Sequence, residues 1–175
     1  MVSIKGISVK NIVNFKGHEG EPLVQCDVCY QGKKVAEYSQ DGWGGEDRFD
    51  FDYNLPKEKR QELLAIFENT AKEFLQARLD KGESVEFYAE HKEYYDYRVL
   101  ILDIIELKDI EKLYKKILKD NKDTMLVFMQ DVFTMNTLSW KHNDIYTLDY
   151  VCKLKKIDKK QVRYFIQTEK DFEIK

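Results

Sequence analysis

The sequence predicts an α+β fold: an antiparallel sheet that begins as a four-stranded meander, packed against a long amphipathic helix and further shorter helices. Three observations predict it. Four segments between Ile7 and Tyr53 alternate apolar and polar residues with period two. Turn-rich connections separate them. From Lys57 to Leu79 the apolar spacing changes to three and four. With 175 residues, 43% hydrophobic and 35% charged, the chain has the size and composition of one globular domain over residues 1–175.

The first strand runs from Ile7 to Phe15, with Ile7, Val9, Val13 and Phe15 on one face and Ser8, Lys10 and Asn14 on the other. Lys16 to Pro22 is a turn-rich connection. In the second strand, Leu23 to Gln31, the inward residues are Val24, Cys26, Val28 and Tyr30. Gln31-Gly32-Lys33 makes a tight hairpin, its glycine supplying a positive φ, into a third strand from Lys34 to Gln40. In the fourth, Phe49, Phe51 and Tyr53 point one way and Arg48, Asp50 and Asp52 the other. A meander of this kind has one apolar face, and the next segment covers it. There Asn54-Leu55-Pro56 joins a capping residue to a proline suited to a first helical turn, and Glu58 complements the positive helix end. The stripe is Leu63, Phe67, Thr70, Phe74 and Ala77, with Leu64, Ala71 and Leu75 beside it, and Lys81-Gly82 ends the helix.

Residues 83–95 fit either period: Val85, Phe87 and Ala89 alternate like a strand, whereas Val85, Tyr88, Tyr95 and Val99 are spaced like a helix face. Asp96 caps a short helix through Glu106. Leu107-Lys108-Asp109 opens another, with Ile110, Leu113, Tyr114, Ile117 and Leu118 as its stripe and Asn121-Lys122-Asp123 as its end. Met125–Met129 and Val132–Trp140 are neighbouring strands across a turn at Gln130-Asp131. Ile145, Leu148, Val151 and Leu154 mark one more helix, Val162 to Gln167 a last strand, and Glu169 to Lys175 a frayed end.

Met1 to Gly6 lacks the apolar stretch and cleavage site of a secretory signal, and no run of about 18 apolar residues occurs, so a cytoplasmic protein without a membrane span is expected. Three cysteines, an odd number, suit a reducing compartment. Cys26 and Cys29 form a Cys-x-x-Cys pair, but on a strand residues three apart point to opposite faces, whereas a redox pair needs its thiols together. Zinc would need about four ligands, and only Cys152 and the scattered His18, His91 and His142 remain. Asp50 and Asp52 share a strand face with no histidine or nucleophile near, the pattern of a solvated face. Neither Gly-x-Ser-x-Gly nor His-Glu-x-x-His occurs. The expectation is no catalytic residue, no metal and no cofactor, with a small-molecule hydrolase or metal enzyme ranked below the binding functions.

The most unusual stretch is Asp41-Gly42-Trp43-Gly44-Gly45-Glu46-Asp47. Its acidic flanks repel phosphate, a strand rather than a helix follows it, and its spacing does not match a calcium loop. Glycines there permit unusual dihedrals in a strand connection. Trp43 is the residue that folding does not demand, and a Trp at a glycine-rich tip serves either a core or an interface. Between Glu37 and Asp52, six acidic residues stand against Arg48 alone; between Lys153 and Arg163, five lysines and an arginine stand against Asp158.

The segment Lys10-Asn11-Ile12-Val13-Asn14-Phe15-Lys16-Gly17-His18-Glu19-Gly20-Glu21, the hairpin Gly32-Lys33-Lys34-Val35-Ala36 and Asp41-Gly42-Trp43-Gly44-Gly45 resemble the opening of a loosely defined group of small uncharacterised proteins from bacteria and their phages. The resemblance covers about the first third of the chain and weakens after Pro56. The group has no assigned activity, so no catalytic residue carries over. The resemblance implies early strands followed by helices and a phage or mobile-element origin, and small proteins of that origin often serve as host-interaction or defence-evasion factors. The expected function is therefore non-enzymatic protein binding, with Asp41, Trp43, Glu46, Asp47, Asp50 and Asp52 facing a host or self partner, a basic nucleic-acid-binding protein among the candidates. The alternative is direct nucleic-acid binding through Lys153, Lys155, Lys156, Lys159, Lys160 and Arg163, with Tyr150, Tyr164 and Phe165 nearby to stack on bases.

Overall fold

The computed structural model describes residues 2–119, 124–130, 135–141 and 144–174. Short turns between alternating segments dictate antiparallel neighbours, and β1 (Ser3–Ile4), β2 (Ile7–Lys16), β3 (Pro22–Tyr30), β4 (Lys33–Ser39) and β5 (Arg48–Phe51) pair in that order. The predicted meander is thus present, preceded by β1, whose two residues are too few to show a period. Gln31 (φ 49°) and Gly32 (φ 80°) both lie in the left-handed region, the turn whose twist matches its strands. A sixth strand, β9 (Glu173–Ile174), runs parallel to β1 and closes that edge. The carboxy-terminal segment is therefore not frayed. Thr168 and Asp171 form a capping box on the 3-10 turn Glu169–Phe172, and Phe172 is buried; Lys175 lies outside the described residues.

A bulge in β2 corrects the expected face. Lys10 pairs with Asp27 and Val13 with Gln25, so β2 spends one residue more than β3. Asn11 sits there at φ 50°, its amide donating to Asp27 Oδ2 at 2.7 Å. The phase inverts: Ile7 and Val9 are buried, Ile12 packs against the core, and Val13 is exposed rather than facing inward with them. Tyr53 likewise leaves the expected face, because β5 ends at Phe51 and Tyr53 is exposed beyond it.

α1 (Lys57–Lys81) covers the inner face with Leu63, Phe67, Ala71, Phe74 and Leu75. Pro56 stands at its N-cap without a side-chain cap, and Asn54 instead bonds Asp52 Oδ1. Gly82 ends it at φ 81° as expected. The stripe departs from expectation at Leu64 and Ala77, which are exposed, while Arg78 is buried. Residues 83–95 adopt neither α-helix nor strand but two 3-10 turns, Glu86–Ala89 and Lys92–Tyr94. The two helices expected after Asp96 are one, α2 (Tyr97–Leu118). Asp96 caps it through the amides of Arg98 and Val99, and no glycine or proline interrupts its interior; Lys108 reaches back from mid-helix to the carbonyl of Val9 at 2.7 Å.

The later strands form a separate sheet. β6 (Thr124–Gln130), β7 (Met135–Lys141) and β8 (Val162–Ile166) are ordered β7-β6-β8, all antiparallel. The expected turn residue Asp131, the beginning of the strand at Val132 and the helix end at Asn121 to Asp123 lie outside the described residues. One buried cluster runs from the large sheet through α1 and α2 to Leu126, Phe128, Tyr164 and Ile166. A second joins Met125, Val127 and Phe165, on the opposite side of the small sheet, to Leu148, Val151 and Cys152 of α3 (Leu148–Lys155). The layers are therefore large sheet, helix pair, small sheet and α3. Ile145 and Leu154, expected on the buried face of α3, are exposed. No helix among the described residues is long and apolar enough to cross a membrane.

Between the helix pair and β8 lies a buried polar network. Arg78 donates from Nη1 to Asp103 Oδ2 (2.8 Å), from Nε to Glu83 (3.2 Å) and from Nη2 to the carbonyl of Arg163 (2.8 Å). Tyr95 donates to the same Asp103 oxygen, and the Tyr164 hydroxyl lies 2.9 Å from Asp103 Oδ1 and 2.8 Å from Glu106 Oε2. Burial, the largest influence, acts to lower the Arg78 pKa, yet Asp103, Tyr164, Glu83 and Tyr95 together raise it, so the guanidinium stays charged. Removing one partner of such a pair leaves a buried charge uncompensated. Asp103→Ala is expected to cost about 3–5 kcal/mol, read from urea denaturation; a loss below about 1 kcal/mol would show that Arg78 does not depend on this carboxylate.

Candidate functional site

The bend between β4 and β5 is held by its own first acid. Asp41 Oδ1 accepts the Trp43 amide at 3.1 Å and the Asp41 carbonyl accepts the Gly44 amide at 3.4 Å. Gly44 adopts φ 77°. At Gly45 an added Cβ would lie 2.0 Å from Asp41 Oδ2, so glycine is what lets that carboxylate fold over the loop. The bend leans on the β2–β3 turn, where the His18 amide donates to the Gly42 carbonyl at 2.7 Å. Trp43 is not folded onto the core. It is 77% exposed, with its indole stacked on the His18 imidazole at 4.2 Å between centroids and 21° between planes.

The six residues expected to form one contact surface do not share one. Asp41 and Asp50 line a depression of about 620 Å³ on the outer face of the large sheet, away from the helices. Glu46 and Asp47 turn toward α2 instead: Glu46 pairs with Arg98, which also binds Asp96 at 2.9 Å, and Asp47 accepts the hydroxyl of buried Tyr38. Burial, and then the Asp47 bond, raise the Tyr38 pKa well above the ordinary phenol value. Asp52 accepts the backbone and side-chain N–H groups of Asn54 at 2.9 and 3.0 Å, stabilising the turn into α1. Of the six, the side chains of Trp43 and Asp50 are exposed and form no hydrogen bond or ion pair among the described residues.

Pairing register adds Asp27, an acid outside the Glu37–Asp52 stretch, and aligns it with two acids of that stretch. Asp27, Glu37 and Asp50 face one another across β3, β4 and β5. Lys34 bridges the first two at 2.7 and 2.5 Å, and its bond to Asp27 is the leading cause that holds that carboxyl below its usual range. Among the described residues Asp50 has no such cation, and Arg48 lies two residues away in the same depression. The signal was the polar half of each alternation, but only the hairpin register aligns the three.

The basic segment also divides. Lys153, Lys155, Lys156 and Lys160 are exposed on α3 and after it, and Lys159 pairs with Asp149 at 2.6 Å. Arg163 turns inward to Glu106 at 3.1 Å. Tyr164 and Phe165 are buried, so of the aromatics expected to stack on bases only Tyr150, 51% exposed, is open.

Cys26, Cys29 and Cys152 are free and buried, and Cys26 belongs to the core cluster on the inner face whereas Cys29 does not. No group of three or more potential ligands that could hold a metal occurs among the described residues. His91 stacks on Phe87 at 4.3 Å; His142 lies outside the described residues. Comparison with protein-family models, curated proteins and solved structures finds no match to this chain.

Burial pushes the Cys26 thiol up from 9.0 to about 12 and raises Cys29 and Cys152 in the same direction. A thiol whose pKa is raised on folding contributes stability that is complete below its unfolded value and lost as the pH climbs toward the folded one. The urea midpoint should accordingly fall between pH 9 and 12, and at pH about 8 the folded protein should leave its thiols unlabelled by a disulfide reagent that labels all of them in denaturant. Rapid labelling of the native protein would contradict the burial.

Proposed function

We propose that this chain is a non-enzymatic binding protein that captures a basic protein partner over the outer face of the large sheet, with Trp43 as its anchor. The observation that carries the reading is the state of Trp43: an indole 77% exposed, yet held by its amide to Asp41 and by its ring to His18. Exposure of so large a ring gains nothing for folding, while a ring already positioned loses little freedom when a partner covers it. The acids beside it supply attraction: Asp41, Asp50, Glu37 and Asp27 line the neighbouring depression, and against these four acids stand two cations, Arg48 in the lining and Lys34, which bridges Asp27 and Glu37. A lysine- or arginine-rich surface would be steered there and would add its pairs at the rim, where such charges act on association rate and specificity more than on affinity.

A nucleic-acid-binding protein presents such a surface, so a role in competing for or sequestering one follows, in the manner of a host-interaction or defence-evasion factor of phage or mobile-element origin working in the cytoplasm. Affinity capture from a host lysate, quantified by mass spectrometry, tests this. A specific basic protein should be retained at low salt. Its retention should fall about 30-fold or more with Trp43→Ala, which should change stability by less than about 0.5 kcal/mol, and should weaken further with Asp50→Lys. Equal retention by the wild type and the correctly folded Trp43→Ala variant overturns the proposal.

A further inference from the structure

We propose a second binding surface, separate from the bend: the outward face of α3 and the turn after it bind single-stranded nucleic acid. The helix commits Leu148, Val151 and Cys152 to the core. Its outward face carries Tyr150, Lys153 and Leu154, spaced three and four apart and therefore adjacent, with Tyr150 51% and Leu154 57% exposed. Tyr146 stacks on Tyr150 at 5.1 Å and 21°, which stiffens the exposed ring into a platform. Lys155 lies over the Trp140 ring at 5.0 Å, so its charge is held at the surface of the small sheet.

The charges around this platform are unbalanced. Lys153, Lys156 and Lys160 are exposed, and none forms an ion pair with an acid among the described residues. Of the nearby acids, Asp149 is paired with Lys159 at 2.6 Å, and Asp158, which accepts the Lys160 amide at 3.0 Å, keeps its charge against Lys153, Lys155, Lys156 and Lys160. A lysine run alone is an ordinary solvated face. An open aromatic platform inside it is not, because exposed Tyr and Leu side chains cost hydration that a bound base would recover.

Single strands fit better than a duplex. Unpaired bases offer their π-faces to Tyr150 while lysines take successive phosphates. In a duplex the bases are stacked on one another and show only their edges in the grooves, so the exposed Tyr150 ring would have no π-face to cover.

The test is fluorescence anisotropy with a labelled oligothymidylate of about 12 nucleotides at low salt, beside a duplex of equal length and phosphatidylserine vesicles. Binding is expected for the single strand, with a log–log salt slope near −2 for about three neutralised phosphates. Tyr150→Ala should weaken it at least about 5-fold while leaving that slope unchanged. Lys153→Ala with Lys156→Ala should reduce both affinity and slope. Circular dichroism confirms that each variant folds. Trp43→Ala should bind like the wild type, which separates this surface from the proposed protein site. Absence of binding at low salt, equal or tighter binding of the duplex, indifference to Tyr150→Ala, or binding to vesicles without binding to the oligonucleotide would each overturn the inference.

Discussion

The pairing of Arg78 with Asp103 is the constraint on which the middle of the molecule depends. Two charged groups are taken out of water there, and their attraction alone does not secure a gain. What offsets the cost is that neither is used once. The same guanidinium binds Glu83 and the carbonyl of Arg163 and lies 4.4 Å from the centre of the Tyr164 ring, and the same carboxylate receives Tyr95. β8 is an edge strand of the small sheet and carries a register shift opposite Phe128–Met129. An edge of that kind leaves backbone groups without a neighbouring strand. Here side chains and the loop from the end of α1 take the place of one: Arg78 binds the carbonyl of Arg163, Glu83 accepts the Phe165 amide, Lys81 reaches the Phe165 carbonyl, and the Ser84 amide donates to Val162. No buried side-chain nitrogen or oxygen among the described residues lacks a partner. The ion pair thus fixes how the small sheet meets the helices, a matter of geometry more than of net stability.

This arrangement marks where sequence reasoning stops. Period two and period three-to-four locate β2, β3, β4, β5 and α1 because those elements bury one face each. The same rule assigns Ala77 to the buried stripe when the fold buries its neighbour Arg78, since a cation is excluded from a core by any local rule until its acids, far along the chain, are known. The bulge at Asn11 escapes for a related reason: one additional residue changes the phase of everything after it, and its hydrogen-bond partner Asp27 lies on another strand. A break within α2 is suggested by the polar pair Lys108-Asp109, but polar residues interrupt a helix only when the backbone has a better alternative, and the cap at Asp96 with an apolar stripe past Ile110 gives it none.

At the bend, composition overstated the surface. A run of acids in sequence looks like a field in space, yet Asp41, Glu46, Asp47 and Asp52 are spent on local bonds, Glu37 shares Lys34 with Asp27 of β3, and Asp50 is the acid of the run left without a bond among the described residues. What was legible was the oddness of Trp43; its exposure was not, because whether a loop lies over a sheet or stands clear depends on packing against the β2–β3 turn. The basic segment behaves likewise, losing Arg163 to the interior and keeping its lysines outside.

The parallel pairing of β9 with β1 has a kinetic meaning. Ser3 faces Glu173, so among the described residues the first strand made is completed by the last. Contacts between distant parts of a chain are slow to form, since the intervening loop must be closed before the pairing returns any free energy. During synthesis, where amino-terminal segments emerge first, the meander and α1 can assemble on the ribosome while β1 still presents a bare backbone edge. That edge stays open until residues 173 and 174 have left the exit tunnel and can pair with it.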